Sequence, residues 1–234
     1  MSIRILSSIA AASTIAFASQ AHAVTLFSET FDIDAADTTA FESAYSAFTV
    51  NAGAIYPVSA SAGQAFITGT GTNNTTSATV AGIGGDVTYS LDVGASLSNG
   101  NYNVGIAIGT NRIVFHPGFG AGGALRVEGP GGFGNTNMGF VPANGTLHNL
   151  TITQTAATGV FDITLTDGDN AANVFNTSFT NLASVGGDFG ITRGGPSAGQ
   201  TGIFDNLLVT GIPEPSTGLL FSLAAIGLVA RRRR

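Results

Sequence analysis

Thr146–Gly168 reads TLHNLTITQTAATGVFDITLTDG, and the spacing of its apolar residues decides the fold. In Gly159–Thr166, Phe161, Ile163 and Leu165 alternate with Val160, Asp162, Thr164 and Thr166. A period of two places each set on its own face of a strand, so Phe161, Ile163 and Leu165 are predicted to point inward. Thr146–Gln154 alternates the same way, with Leu150 and Ile152 inward. Asp167-Gly168-Asp169-Asn170 then separates Gly159–Thr166 from Asn173–Phe179 as a hairpin turn.

Working outward, the same punctuation by Gly, Asn, Asp and Pro marks further strands at Thr25–Phe31, Ala44–Val50, Gln64–Thr68, Ser77–Ala81, Asp86–Val93 and Tyr102–Ile108. Others follow at Arg112–Phe115, Ala124–Glu128, Asp188–Thr192 and Gly202–Thr210. No run keeps a helical period, so residues 24–211 are predicted to be all-β, a two-sheet antiparallel sandwich. Residues 51–85 and 116–145 are the loosest parts. In the last strand, an inward set of Ile203, Asp205, Leu207 and Val209 would bury a carboxylate at a cost. Phe204, Asn206 and Leu208 are therefore expected inward. Sixteen phenylalanines among 234 residues supply core material for such a domain.

Only 9% of residues are charged, and cysteine, tryptophan and lysine are absent. A disulfide scaffold, a thiolate metal site and lysine chemistry are thereby excluded. Residues 24–212 carry thirteen acids against Arg112, Arg126 and Arg193, a net charge of −10. So acidic a body has no electrostatic footprint for nucleic acid.

The two ends have a different character. Residues 1–23 run from Arg4 through an apolar stretch, Ile5–Ala18, to the small-x-small site Ala21-His22-Ala23. That is the layout of a secretory signal peptide, with cleavage expected after Ala23. At the other end, Gly218–Ala230 is an apolar helix former of 13 residues, closed by Arg231, Arg232, Arg233 and Arg234. Such a helix covers roughly 20 Å, short of a bilayer core of about 30 Å, and its arginines form a positive-inside stop. It is expected to tether the chain in a membrane before processing. Pro213 and Pro215 cannot continue a helix, so they hold Pro213-Glu214-Pro215 extended ahead of it.

Residues 212–234, with the Pro-Glu-Pro triplet, the short apolar helix and the terminal arginine cluster in that order, resemble the PEP-CTERM sorting signal. The resemblance implies a Gram-negative bacterium that makes extracellular polysaccharide, and an exosortase that recognises the triplet and processes the tail. It also implies a destination at the cell surface, outer envelope or matrix. The body resembles the concanavalin-A-like and laminin-G-like jelly rolls, through FSETFD (Phe27–Asp32), the Thr146–Gly168 block and FDNLLVT (Phe204–Thr210). That resemblance implies that the first and last strands lie side by side.

Familiar catalytic patterns fail on context. Gly118–Gly123 fits G-x-G-x-x-G, but a strand-like run follows where a dinucleotide site needs a helix. Gly195–Gly199 fits G-x-S-x-G, but no histidine follows Ser197. His116 and His148 have no ligand partner at helical spacing and read as neutral strand residues. Glu29, Asp32, Asp34 and Asp37 near the first strand, with Asp205 and Asn206 on the last, offer hard oxygens that would suit calcium. Glu29, Asp32 and Asp205 are the candidate ligands, and solvated caps and turns are the plainer reading. No other cofactor is expected. Four tyrosines and no tryptophan leave little for sugar stacking, so recognition of sugar would fall to Asn, Asp and Arg.

The function expected from these features is a secreted, exosortase-sorted, non-enzymatic surface or matrix protein that binds polysaccharide or envelope partners. The alternatives are an extracellular glycan hydrolase or lyase on the same fold, and a calcium-stabilised module.

Overall fold

The computed structural model describes residues 23–50, 58–68, 71–80, 85–96, 102–184, 187–195 and 200–212. The signal peptide up to His22, the sorting triplet, the apolar tail and the arginine cluster lie outside them. Among the described residues no helix is long and apolar enough to cross a membrane.

The described chain forms β1 (Val24–Glu29), α1 (Thr38–Ala44), β2 (Thr49–Val50), β3 (Val58–Ser61), β4 (Gln64–Thr68), β5 (Gly71–Val80), β6 (Val87–Ala95) and β7 (Asn103–Ile108). It continues through β8 (Asn111–His116), β9 (Ala124–Glu128), β10 (Thr136–Asn137), β11 (His148–Thr155), β12 (Val160–Thr166), β13 (Val174–Thr180), β14 (Gly187–Gly195) and β15 (Thr201–Gly211). These make two antiparallel sheets. One has seven strands in the order β10-β9-β8-β7-β14-β5-β2. The other has eight, in the order β13-β12-β11-β6-β15-β4-β3, with β1 added alongside β15.

The first strand pairs with the last from Val24 opposite Gly211 to Glu29 opposite Leu207, as the jelly-roll resemblance implies. β15 is long enough to use two partners on one flank, β4 along Thr201–Phe204 and β1 along Leu207–Gly211. Between these partners its pairing with β6 shifts register at Asp205–Leu208.

The core lies between the sheets, where the alternation of β11 and β12 placed it. Phe161, Ile163, Leu165, Leu150 and Ile152 are all buried. Phe161 and Phe179 stack with ring centroids 4.6 Å apart. At one end Phe31, Phe41, Tyr45 and Phe48 pack as an aromatic cluster, with Phe31–Tyr45 at 5.5 Å and Phe41–Tyr45 at 4.8 Å. Arg193 shares the core-facing side of β14 with Phe189 and Ile191 and is fully buried, its guanidinium carbon 5.0 Å from the centre of the Tyr102 ring. Burial pushes the Tyr102 hydroxyl pKa up, and the neighbouring guanidinium partly opposes that shift.

Four expectations need correction. The run Ala44–Val50 is not a strand: α1 ends at Ala44, a turn follows, and only Thr49–Val50 pairs. The helix forms because the Asp37 carboxylate accepts the Ala40 amide at its N-cap, and because Phe41 and Tyr45, one turn apart, share the aromatic cluster. Second, within residues 51–85, read as loose, β3 adds a strand at Val58–Ser61 and β5 begins at Gly71, six residues before the strand expected from Ser77, while β4 forms over Gln64–Thr68 as expected. Third, the two-residue β10 pairs with β9 inside the other stretch read as loose. Fourth, Asn206 and Leu208 point outward; Phe204, Leu207 and Val209 are the buried residues of β15. The register shift at Asp205–Asn206 is a bulge, and an extra residue switches which parity faces the core.

Candidate functional site

The bulge builds the site. Asn206 has φ +49°, a left-handed backbone that Asn tolerates better than most residues. Its side chain is carried onto the outer face of the eight-stranded sheet, where Nδ2 donates to Asp92 Oδ2 at 2.9 Å. From the other flank Asn149 Nδ2 donates to Asp92 Oδ1 at 2.9 Å and to Ser90 Oγ at 3.3 Å. Thr151 Oγ1 in turn donates to Asn149 Oδ1 at 2.9 Å. The carboxylate of Asp92 is thus gripped by two amides, each of its oxygens keeping a lone pair for an incoming hydroxyl. Ser28, Thr30, Ser90, Asp92, Asn149, Asn206 and Leu208 line the resulting shallow groove, of about 260 Å³.

The groove lies in a regular polar surface. Strand register sets out three rows across the outer face of this sheet. The first runs Val174, Thr166, Asn149, Asp92, Asp205; the second Asn176, Thr164, Thr151, Ser90, Leu208, Ser28; the third Ser178, Asp162, Thr153, Thr88, Thr210, Thr25. Hydroxyls and amides dominate these rows, and neither Lys, Arg nor Glu occurs in them. A second groove of about 360 Å³ opens on the same sheet beside Asp162, Thr164, Asn176 and Ser178. Within it Thr164 Oγ1 donates to Asn176 Oδ1 at 2.8 Å.

The residues singled out from the sequence go to several places. Glu29 Oε1 accepts the amides of Thr30 and Phe31, at 3.0 and 3.1 Å. That grip holds buried Phe31 at φ +52°, a conformation costly for an aromatic residue. Asp32 Oδ2 accepts Thr30 Oγ1–H at 2.6 Å, Asp34 Oδ1 accepts the Ala62 amide at 3.1 Å, and Asp37 caps α1. Asp205 Oδ1 accepts the Asn206 amide at 2.6 Å. Among the described residues no three His, Asp or Glu side chains converge where a metal ion could sit.

His148 is fully buried at the start of β11: its Nδ1 accepts the Gly168 amide at 3.0 Å, and Nε2 faces the Ala143 carbonyl at 3.2 Å. It pins the turn after β12, where Asp167 also accepts from the Asp169 amide and the Asn173 side chain. His116 is buried with its ring 6.0 Å from that of Phe119. Gly118–Gly123 forms a turn and a single 3-10 turn before β9. Of Gly195–Gly199, only Gly195 lies within the described residues, as the last residue of β14.

On the other sheet Arg112 donates from Nε to Thr192 and from Nη2 to Asn103, both at 3.0 Å, and from Nη1 to Glu128. Glu128 also meets Arg126 Nε at 3.4 Å. Burial pushes the Arg112 pKa down and Glu128 pulls it back. Tyr45, Tyr89 and Tyr102, the described tyrosines, are buried. Nothing in the sequence marks Asp92 and Asn149, the centre of the groove, as a pair: they lie on different strands and meet only through strand register.

Asp205 has its carboxyl pKa raised, first by burial, then by the nearby charges of Asp92 and Asp32, against the lowering effect of the Asn206 amide. A folded-state pKa above the unfolded one means that the native chain binds the proton more tightly. This contribution to stability therefore falls as pH rises through the window from about 4, the unfolded value, to the raised native one. Asp205→Asn is expected to flatten the slope of Tm against pH across that window while keeping the Asn206 contact. Calorimetry from pH 3.5 to 7 checks it, and an unchanged slope would refute the assignment.

Comparison with known proteins agrees with both halves of this picture. Residues 211–234 match the PEP-CTERM protein-sorting motif. That motif indicates a bacterial protein exported and sorted to the surface or exterior. No curated protein matches the chain. Among solved structures, the CBM2 module of the evolved Dit of Lactobacillus casei BL23 phage J-1 is similar with a TM-score of 0.56 at 11% identity, over 81% of this chain and 96% of that one. A legume lectin-like domain from Entamoeba histolytica gives 0.53 at 10% identity, over 80% and 97%. A sialidase gives 0.52 at 13% identity over 70% of this chain, which spans only 17% of that protein's length. These likenesses establish the fold, a lectin-like jelly roll of two antiparallel sheets.

Proposed function

We propose that this protein is a non-enzymatic, exosortase-sorted surface or matrix protein that binds neutral polysaccharide along the outer face of its eight-stranded sheet. The groove around Asp92 is the centre of that interaction. The observation that carries the reading is the carboxylate of Asp92 held by Asn149 and Asn206 within three rows of hydroxyl and amide side chains. Sugar hydroxyls need alternating donors and acceptors at fixed positions, and this surface supplies both. The described tyrosines are buried, and the groove offers hydroxyl, amide and carboxylate groups, so hydrogen bonds are its means of holding a sugar. The acidic groove and the net charge of −10 on residues 24–212 repel anionic chains and favour uncharged ones. Delivery follows from the two ends: cleavage after Ala23, temporary anchoring through Gly218–Ala230, and processing near Pro213-Glu214-Pro215 in a Gram-negative envelope.

Affinity electrophoresis of the exported protein through gels containing neutral or acidic polysaccharides tests the binding. Retardation by neutral polymers is expected, weakened about tenfold in Asp92→Ala and in Asn149→Ala, since each change removes one or two net hydrogen bonds of about 1 kcal/mol. Binding is expected to be the same in millimolar calcium and in chelator. Loss in chelator would transfer the role to Glu29, Asp32 and Asp205 as calcium ligands. Equal retardation of the wild type and both variants would refute the groove.

A further inference from the structure

Sheets expose backbone donors and acceptors at their terminal strands, and proteins that remain monomeric blunt those edges. Most terminal strands of this protein are blunted. β10 and β2 are two residues long. β3 has four residues, and the segment before α1 caps it through reciprocal Ala35–Ala60 hydrogen bonds of 2.7 and 2.8 Å. β1 carries an irregularity between Thr25 and Phe27 and ends in Glu29. β13 is different: it closes the eight-stranded sheet with seven residues, VFNTSFT, in unbroken register with β12. It contains no charge, no proline and no bulge. Exposed apolar residues stand on it and just beyond it, Val174 at 44% and Leu182 at 65% exposure. The backbone of Gly131 approaches the Thr180 carbonyl closely, closing that end and leaving Val174–Phe179 as an edge unpaired among the described residues.

We propose that β13 pairs with β13 of a second copy, antiparallel about a twofold axis through Thr177. Three observations select this occupant. An antiparallel edge is self-complementary under a twofold axis, so one strand supplies both halves of the joint. A uncharged strand is where two bodies as acidic as these can approach. An axis perpendicular to the sheet must pass through a residue rather than between two, because directly opposed residues have to face the same side. With the axis at Thr177, Phe175 opposes the partner's Phe179, so the Phe161–Phe179 stack is extended across the joint. On the outer face Asn176 then opposes the partner's Ser178, and the polar rows run on from one copy into the next. This inference does not depend on polysaccharide binding, but it would give a repetitive polymer two grooves on one continuous face.

The absence of cysteine makes the geometry directly testable. Directly opposed residues of an antiparallel pair have Cα atoms about 4.5–5.5 Å apart, within the range a disulfide spans. Thr177→Cys in the full exported chain is therefore expected to oxidise to a covalent dimer. Asn176→Cys and the interior control Thr153→Cys are expected to stay largely monomeric under the same oxidation. Sedimentation equilibrium of the unmodified protein should show a monomer–dimer equilibrium. The double variant Asn176→Lys/Ser178→Lys places like charges across the joint on exposed positions, and should raise the dimer dissociation constant about tenfold or more while circular dichroism stays that of the wild type. Three outcomes would each overturn the proposal: a wild-type protein that is monomeric at all concentrations, cross-linking as efficient at Thr153 as at Thr177, or a dimer indifferent to the paired lysines.

Discussion

Deleting Asn206 is expected to leave the fold intact and to dismantle the groove around Asp92. The bulge at Asp205–Asn206 is what allows Phe204, on one side of it, and Leu207 and Val209, on the other, all to face the core. Removing one residue restores simple alternation. With Asn206 gone, Phe204, Leu207 and Val209 fall at every second position and keep the core face, while Asp205 and Leu208 keep the outer one. What is lost is the Asn206 donor to Asp92, so polysaccharide binding is expected to weaken about tenfold while the melting temperature changes little. Asn206→Gly is the companion measurement. Glycine accepts φ +49° without strain and keeps the residue count, so only the Asp92 contact is lost, at about 1 kcal/mol. Circular dichroism, thermal melting and affinity electrophoresis check both variants, each expected to keep the wild-type fold and to bind polysaccharide more weakly. A deletion variant that fails to fold would show that the extra residue is needed to reach from the β4 pairing to the β1 pairing rather than to build the groove.

Gly168→Ala is expected to destabilise the protein by about 3 kcal/mol or more, by forcing the turn after β12 away from the chain entering β11. A Cβ at Gly168 would lie 1.9 Å from the Leu147 carbonyl oxygen and 3.0 Å from Thr146 Cγ2. Neither neighbour can retreat easily, because the Gly168 amide is itself bonded to buried His148. Gly134→Ala serves as the control: nothing lies within 4 Å of the added methyl, and little change is expected. Urea denaturation of both variants checks the difference. Equal midpoints would mean that this close packing does not hold the turn.

The Gly168 turn and the Asp205–Asn206 bulge show where sequence reasoning reached and where it stopped. Gly168 was legible as part of a turn, since Asp-Gly-Asp-Asn between two alternating runs has that meaning in any β protein. What it does there is different from what turn chemistry supplies: the requirement is room against Leu147, a residue brought close by the pairing of β11 with β12. Asp205–Asn206 was legible as a conflict, because neither parity of the last strand could bury its apolar residues without also burying a polar one. The chain resolves that conflict with a bulge, which is decided by the partners on either flank, β6 along the whole strand and β4 then β1 opposite. The α1 segment was misread because its single helical contact pair, Phe41 and Tyr45, is too short a pattern to outweigh the alternation after it. The helix is held by the Asp37 cap and by aromatic neighbours from elsewhere in the chain.

The amino-acid sequence by itself determined the layered β architecture, most of the strands, the residues that fill the core in β11 and β12, and the sorting motif at the C-terminus. Each of these is written in local order: alternation of period two, turn residues at its breaks, and a proline pair ahead of an apolar run with arginines. Only the tertiary structure decided that Asp92, Asn149 and Asn206 meet, that Arg193 is a core residue against Tyr102, and that β13 ends a sheet with its edge open. Those facts depend on which strands become neighbours and in what register. Neighbours are chosen by the packing of the whole chain, so residues more than fifty positions apart acquire a shared role that no local pattern records.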